Sequence, residues 1–223
     1  MDGAAPSRRD GVLSSAALGR LITLEGGEGA GKSTQLRALA EALRADGGVV
    51  VTTREPGGSD GAEAVRGLLV EGGIERWSAT AELFLLLAAR LDHLERTIRP
   101  ALAAGAVVLC DRFWDSTRVY QGLVGGLELA AVDALHERWL TPFRPGLTVV
   151  LDLPVDLGLR RARAGRFEAR GEDFHERVRA GYLRLADTDP ARFRVVDAAR
   201  PAAEVTADAL AVIRAHLAAV EAP

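Results

Sequence analysis

The chain has 223 residues, 48% apolar and 26% charged, with a net charge of −3. That balance is ordinary for a globular domain and too acidic for a general nucleic-acid binder, and the longest apolar run, Leu83 to Ala89, falls far short of the roughly 18 to 20 residues that cross a bilayer. One cysteine, Cys110, excludes an internal disulfide or a cysteine-built metal cage and suits a reducing, cytoplasmic setting. Residues 1–19 are small, polar and aperiodic and read as a disordered arm, in which Asp2 and Asp10 argue against a secretory leader. From there a single domain over 20–220 is expected. Leu21–Glu25 reads as a strand and Lys32–Ala45 as a helix with Leu36, Leu39, Ala40 and Leu43 on one face. Further strands are predicted at Val49–Thr53, Val107–Cys110, Leu147–Leu151 and, more weakly, Arg194–Val196. Helical patterns fall between them at 61–71, 79–103, 127–139, 155–164, 172–186 and 202–219. This alternation predicts an α/β fold: a doubly wound, five-stranded parallel sheet with helices on both faces and ligands at the carboxyl ends of the strands.

Two compositional details single out one position. Of the 28 basic residues 27 are arginine, the lone lysine is Lys32, and the chain contains no asparagine. Lys32 completes Gly26-Gly27-Glu28-Gly29-Ala30-Gly31-Lys32-Ser33, a G-x-x-x-x-G-K-S loop between a predicted strand and a predicted helix, with Thr34 next. This is the context of a P-loop NTPase. Glycines let backbone amides turn toward the β-phosphate of ATP, the lysine reaches the β- and γ-phosphates, and the serine offers a hydroxyl to Mg2+. A glycine-rich turn that binds nothing is the bland alternative, and the register of the only lysine speaks against it. Without asparagine the N-K-x-D loop that reads guanine cannot be written, so a GTPase is not expected. After Val107-Val108-Leu109-Cys110 comes Asp111-Arg112, one acid for a metal and one base for phosphate, which points to transfer onto a second phosphorylated substrate.

Arg54 in Thr53-Arg54-Glu55-Pro56-Gly57-Gly58, Arg90 in Ala88-Ala89-Arg90, and Arg112 are placed to meet that substrate. Taken together, the G-G-E-G-A-G-K-S loop, R-E-P-G-G, A-A-R, D-R and Asp115-Ser116-Thr117-Arg118-Val119-Tyr120-Gln121-Gly122 resemble thymidylate kinases of the bacterial type, in order from about Leu21 to Leu217. The resemblance implies transfer of the γ-phosphoryl group of ATP to dTMP, giving dTDP and ADP on the way to dTTP, by a homodimer. It implies Asp111 beside Ser33 at the magnesium, Arg112 and Arg90 as clamps on the acceptor phosphate, and Glu28 near the deoxyribose 3'-hydroxyl. It also places Arg54, Glu55, Pro56 and Ser116 around the acceptor, Thr117 and Gln121 at the thymine edge, and Tyr120 against the sugar 2' position. Where the family commonly has a phenylalanine against thymine, four residues before the A-A-R arginine, this chain has Leu86. Phe84 lies roughly 200° around the helix from it, so Leu86, Phe113 or Trp114 would face the base. A kinase for another nucleoside monophosphate or a deoxynucleoside, or a non-catalytic nucleotide-binding module, are the competing readings.

Between 160 and 170 the chain carries five arginines, which repel one another unless an anion gathers them. The stretch, about 160–172, reads as a lid over ATP, and the resemblance makes Arg166 the catalytic lid arginine with Arg163 the second candidate. His93, His136, His175 and His216 show no partner pattern and read as structural or surface residues.

Overall fold

A computed structural model describes residues 13–73, 75–161 and 170–222. Strands β1 (Leu21–Glu25), β2 (Val50–Arg54), β3 (Val107–Asp111), β4 (Leu147–Asp152) and β5 (Phe193–Asp197) pair in parallel throughout, in the order β2-β3-β1-β4-β5. Parallel neighbours require crossovers over a sheet face, and these helices bury both faces. All five residues of the central strand β1 are buried, which its near-continuous apolar run foretold. Ile22 and Leu24 face a core with Leu39 and Leu43 of α2 (Lys32–Ala45) and Ala209 and Ile213 of α10 (Ala202–Glu221). Leu21 faces the opposite core with Leu87 of α4 (Ala79–His93), Leu102 of α5 (Arg99–Ala103) and Val132 of α7 (Leu129–Trp139). By the two-residue period of a strand, Thr23 and Glu25 point to that second side as well.

There they meet polar groups. Thr23 and Thr148 hydroxyls lie 3.0 Å apart, Thr148 Oγ1 donates to Asp115 Oδ2 at 3.1 Å, and Arg192 grips both Asp115 oxygens at 2.6 and 3.0 Å. Asp115 belongs to α6 (Trp114–Thr117), so this ion pair ties the segment after β3 to β4 and β5. A third cluster, with Val119, Val178, Tyr182 and Phe193, packs α9 (Glu172–Thr188) over that end of the sheet.

Each strand falls within one residue of its expected bounds. The 79–103 pattern is one helical path through α4, a π-helical turn at Leu94–Ile98, and α5. Two stretches differ from expectation. The disordered arm to residue 19 is corrected at its end: Ser15–Gly19 is a helix, α1, whose cap is Ser14 Oγ accepting from Ala17 N at 3.1 Å. His216 Nε2 lies 2.8 Å from Gly19 O, and Leu13 and Leu18 pack on the second core. Five residues are too few to show a period, and tertiary contacts hold them. Trp114–Val124, where no helix was expected, is helical too, passing from α6 into a π-helical turn at Arg118–Val124. The two described helices not yet placed are α3 (Asp60–Val70) and α8 (Val155–Arg161).

Removing one partner of a buried ion pair strands the other charge. Arg192→Leu is expected to cost about 3–5 kcal/mol in urea unfolding, well above the cost of an exposed pair such as Arg214–Asp46.

Candidate active site

The carboxyl ends of β1 and β3 open into a cleft of about 1270 Å³, lined by the loop after β1, by Arg54–Pro56, by Asp111–Phe113 and by one face of α4. The loop turns through glycines of positive φ, with Gly29 at 70°. Gly29 has a second reason to lack a side chain, since a Cβ there would fall inside contact distance of Gly158 O on α8. Lys32 folds back over the loop, and its Nζ donates to Gly26 O at 3.1 Å and Gly27 O at 2.8 Å. Burial, then the charge of Arg112, lowers its pKa, while Glu28 and Asp111 oppose them. Ser33 Oγ donates to Asp111 Oδ2 at 2.8 Å. A hydroxyl and a carboxylate so placed beside a phosphate loop fit a magnesium ion, which needs one carboxylate and phosphate oxygens rather than a full protein cage.

In the middle of the cleft stands Arg112, with a left-handed φ of 68°. Its guanidinium donates to Glu28 Oε1 at 2.6 Å, Tyr182 Oη at 3.0 Å and Ser116 Oγ at 3.3 Å, and lies over the Tyr120 ring. Tyr120 Oη donates to Glu28 as well, at 3.0 Å. Burial would raise the Glu28 pKa, but the charges of Arg112 and Lys32 and the tyrosine hydroxyl outweigh it and bring the carboxyl down to about 2. Glu28 is therefore an ionised acceptor at any working pH. Arg54 is held by Glu63 at 2.9 Å on the outer rim.

Arg90 lines the same cleft but bonds other partners. It is 2% exposed, its Nε donates to Glu55 Oε2 at 2.5 Å and its Nη1 to Thr117 Oγ1 at 3.1 Å, and it lies over the rings of Phe113 and Trp114. Glu55 also meets His93 Nδ1 at 3.0 Å, and His93 Nε2 meets Thr53 Oγ1 at 2.7 Å. Thr117 and Gln121 line the cleft beside Leu86, and Phe113 borders it. Phe84 is 56% exposed and outside it, as its helical phase required. Arg163 and Arg166 lie outside the described residues.

Several cleft residues were not foreseen. Arg66 of α3 donates to Pro56 O at 2.6 Å, and its pKa is lowered by burial and by Arg54. On the far side of the loop the cleft continues along Ala199, Arg200 and Pro201, at the carboxyl end of β5, beside Arg161 of the expected lid stretch. Glu82 stands at the wall, and the sequence held its signal: Glu82, Leu86 and Arg90 recur every four residues, one helix face. Glu25 carried a signal too, as an acid closing an apolar strand. Its carboxylate accepts from Phe113 N at 2.8 Å, Ser116 Oγ at 2.6 Å and Tyr182 Oη at 3.1 Å. The histidines are largely structural as expected. His136 bonds Phe143 O, and among the described residues neither ring nitrogen of buried His175 has a partner.

A glycine-rich strand-to-helix loop carrying lysine and serine, a carboxylate at the end of the adjacent strand, and the order β2-β3-β1-β4-β5 define a P-loop phosphotransferase with room for two substrates. The sequence model of the thymidylate kinase family matches residues 24–209. The thymidylate kinase of Caulobacter vibrioides is 56% identical over 193 residues, 85% of this chain and 93% of that one. That of Ruegeria pomeroyi is 51% identical over 204 residues, covering 89% and 96%. The crystal structure of thymidylate kinase from Ehrlichia chaffeensis matches with a TM-score of 0.70 at 33% identity, over 86% of this chain and 97% of that one. The chain belongs to the thymidylate kinase family.

Burial, with the charge of Asp115, raises the Glu25 pKa from 4.5 to about 7. Between those values the folded chain keeps a proton that the unfolded chain has lost, so the stabilisation is complete below 4.5 and is lost as pH rises through about 7. It amounts to something on the order of 3 kcal/mol. Thermal unfolding followed from about pH 5 to pH 8 is expected to show this decline, and Glu25→Gln to flatten it.

Proposed function

We propose that the chain transfers the γ-phosphoryl group of ATP to dTMP, releasing ADP and dTDP, with the two nucleotides meeting at Arg112. The observation that carries this reading is the continuous cleft that runs from the phosphate loop, past Arg112 and Glu28, to a wall carrying the hydrogen-bonding groups of Thr117 and Gln121. Residues 26–34 hold the donor phosphates through backbone amides, Lys32 and Ser33. A magnesium ion at Ser33 and Asp111 would offset the charge of the β- and γ-phosphates. The turn at Ala199–Pro201 with Arg161 takes the donor base.

On the acceptor side Arg112, with Arg54 and Arg66 behind it, grips the phosphate in fork geometry. Glu28, ionised, accepts from the sugar 3'-hydroxyl, and Tyr120 beside it closes the 2' position. Thr117 and Gln121 read the base edge, over Leu86 and Phe113. Arg90 serves this end rather than the phosphate, because Glu55 neutralises it and one of its Nη1 protons goes to Thr117. Ser116 orients Arg112, while Glu55 and Pro56 shape the floor. Arg166, with Arg163, supplies the positive charge that the phosphate loop lacks as the phosphoryl group moves. The chemistry is positioning and charge neutralisation, and no side chain is asked to form a covalent bond to phosphorus.

A homodimer completes the reading, since Leu68 and Val70 of α3 and Phe84 of α4 are apolar and exposed. The single cysteine, buried at Cys110, and the nucleotide substrates suit the cytoplasm. No described helix is long and apolar enough to cross a membrane.

ADP release from Mg-ATP, with dTMP, dUMP, UMP, CMP, AMP, GMP and thymidine offered in parallel, is expected to favour dTMP strongly over UMP; preference for another acceptor overturns the thymidylate assignment. Lys32→Ala should remove turnover by at least about a hundredfold while leaving the unfolding transition in place. Light scattering of Phe84→Glu is expected to report a monomer if that helix face is the dimer contact, and a retained dimer would move the contact elsewhere.

A further inference from the structure

At the base end of the cleft one hydrogen-bonding polarity is fixed, and a second favoured, by residues behind the wall. Arg90 Nη1 donates to Thr117 Oγ1 at 3.1 Å. With one of its two lone pairs engaged, the hydroxyl still has its own proton to offer onward, and donation is favoured. Gln121 Nε2 donates to Glu82 Oε2 at 3.1 Å. A carboxylate has no proton to give, so the amide must turn its NH2 group to Glu82 and leave Oε1 as the remaining acceptor. That oxygen is buried and has no partner among the described residues, although Gln121 lines the cleft. A buried carbonyl left in this state is costly and marks a place for a donor from outside the chain.

We infer that Glu82 is a positioning residue that sets the base specificity of the acceptor site by holding the Gln121 amide in one orientation. The inference rests on the proposed placement of the acceptor base at Thr117 and Gln121. A donor at Thr117 beside an acceptor at Gln121 matches the C4 carbonyl and N3–H of thymine or uracil. Cytosine carries an amino group and a bare ring nitrogen at those positions and reverses both. Glu82 enforces the Gln121 half of this match from outside the base contact, while Arg90, held by Glu55, favours the Thr117 half. It stands two helical turns before Arg90 on the same face of α4, so one helix carries both controls.

The test measures the KM for dTMP and the inhibition constant of dCMP, with Mg-ATP saturating, in the full chain and its variants. In Glu82→Gln the residue at 82 can accept or donate, and the Gln121 amide is free to turn over. The ratio of the dCMP inhibition constant to the dTMP KM is expected to fall by roughly tenfold, the worth of one mispaired hydrogen bond. Glu82→Asp, which keeps an acceptor-only group, should retain the ratio even if turnover drops. Glu82→Ala gives a second release of the amide, with the same expected fall, should the glutamine variant not fold. A ratio unchanged in the released variants, or dTMP and dCMP weakened equally, overturns the proposal and leaves Glu82 a packing residue. Gln121→Leu separates the two possible failures. A raised dTMP KM there with an unchanged ratio in Glu82→Gln removes only the role of Glu82, whereas an unchanged dTMP KM takes the base away from Gln121 and overturns the acceptor placement with it.

Discussion

The cleft depends on how the chain turns at Arg112. Among the described residues this is the one non-glycine with a left-handed backbone, a conformation that costs an arginine on the order of 1 kcal/mol or more. Two bonds on either side hold it: Arg112 N donates to Leu24 O at 2.9 Å, and Phe113 N donates to Glu25 Oε1 at 2.8 Å. The end of β1 thus pins the end of β3, and the pinning throws the guanidinium back over the phosphate loop instead of along the strand. Ser116 and Tyr182, both bonded to Glu25, then fix its Nη1 side, and Glu28 takes Nη2. Relaxing any of these lets the guanidinium leave its place between Glu28 and Tyr182.

The same logic repeats along the cleft. Four buried or half-buried glutamates each orient a donor: Glu25 the Ser116–Tyr182 pair, Glu28 Arg112, Glu55 Arg90 with His93, and Glu82 Gln121. A phosphoryl-transfer site crowded with positive charge would otherwise scatter its own side chains, and a carboxylate behind each donor holds it where substrate finds it. The environments keep the acids distinct. Glu28, next to Arg112 and Lys32, is driven to about 2, while Glu25, sealed under Phe113 beside Asp115, is driven to about 7. Neighbouring acids at one end of β1 thereby carry different charge at the same pH.

Much of this was legible beforehand. The sole lysine in register after a buried strand located the phosphate loop, and the Leu36, Leu39, Leu43 stripe located the helix that follows it, because both signals are local in sequence. Arg112 and Asp111 were legible as the polar close of an apolar strand. Arg90 was legible as a site residue through the family resemblance, but its bonds to Glu55 and Thr117, brought in from residues 55 and 117, were not. Glu25 and Glu82 had local signals, an acid closing an apolar strand and a place on the Leu86–Arg90 helix face, but their roles depend on partners distant in sequence. Nothing nearby distinguishes Arg66 or the turn at 199–201 from an ordinary arginine or turn.

By itself the sequence determined the fold class, the strands to within a residue, the phosphate loop and the family, because periodicity, a contiguous motif and motif order are written along the chain. The tertiary structure decided which charges face which. Ion-pair and hydrogen-bond partners are selected by strand order and helix packing, so Arg192 reaches Asp115 across 77 residues, Arg112 reaches Glu28 across 84 and the neutral Gln121 amide reaches Glu82 across 39. In a chain with 27 arginines the residue types alone admit many pairings, and desolvation in the folded interior retains only those whose geometry satisfies both partners.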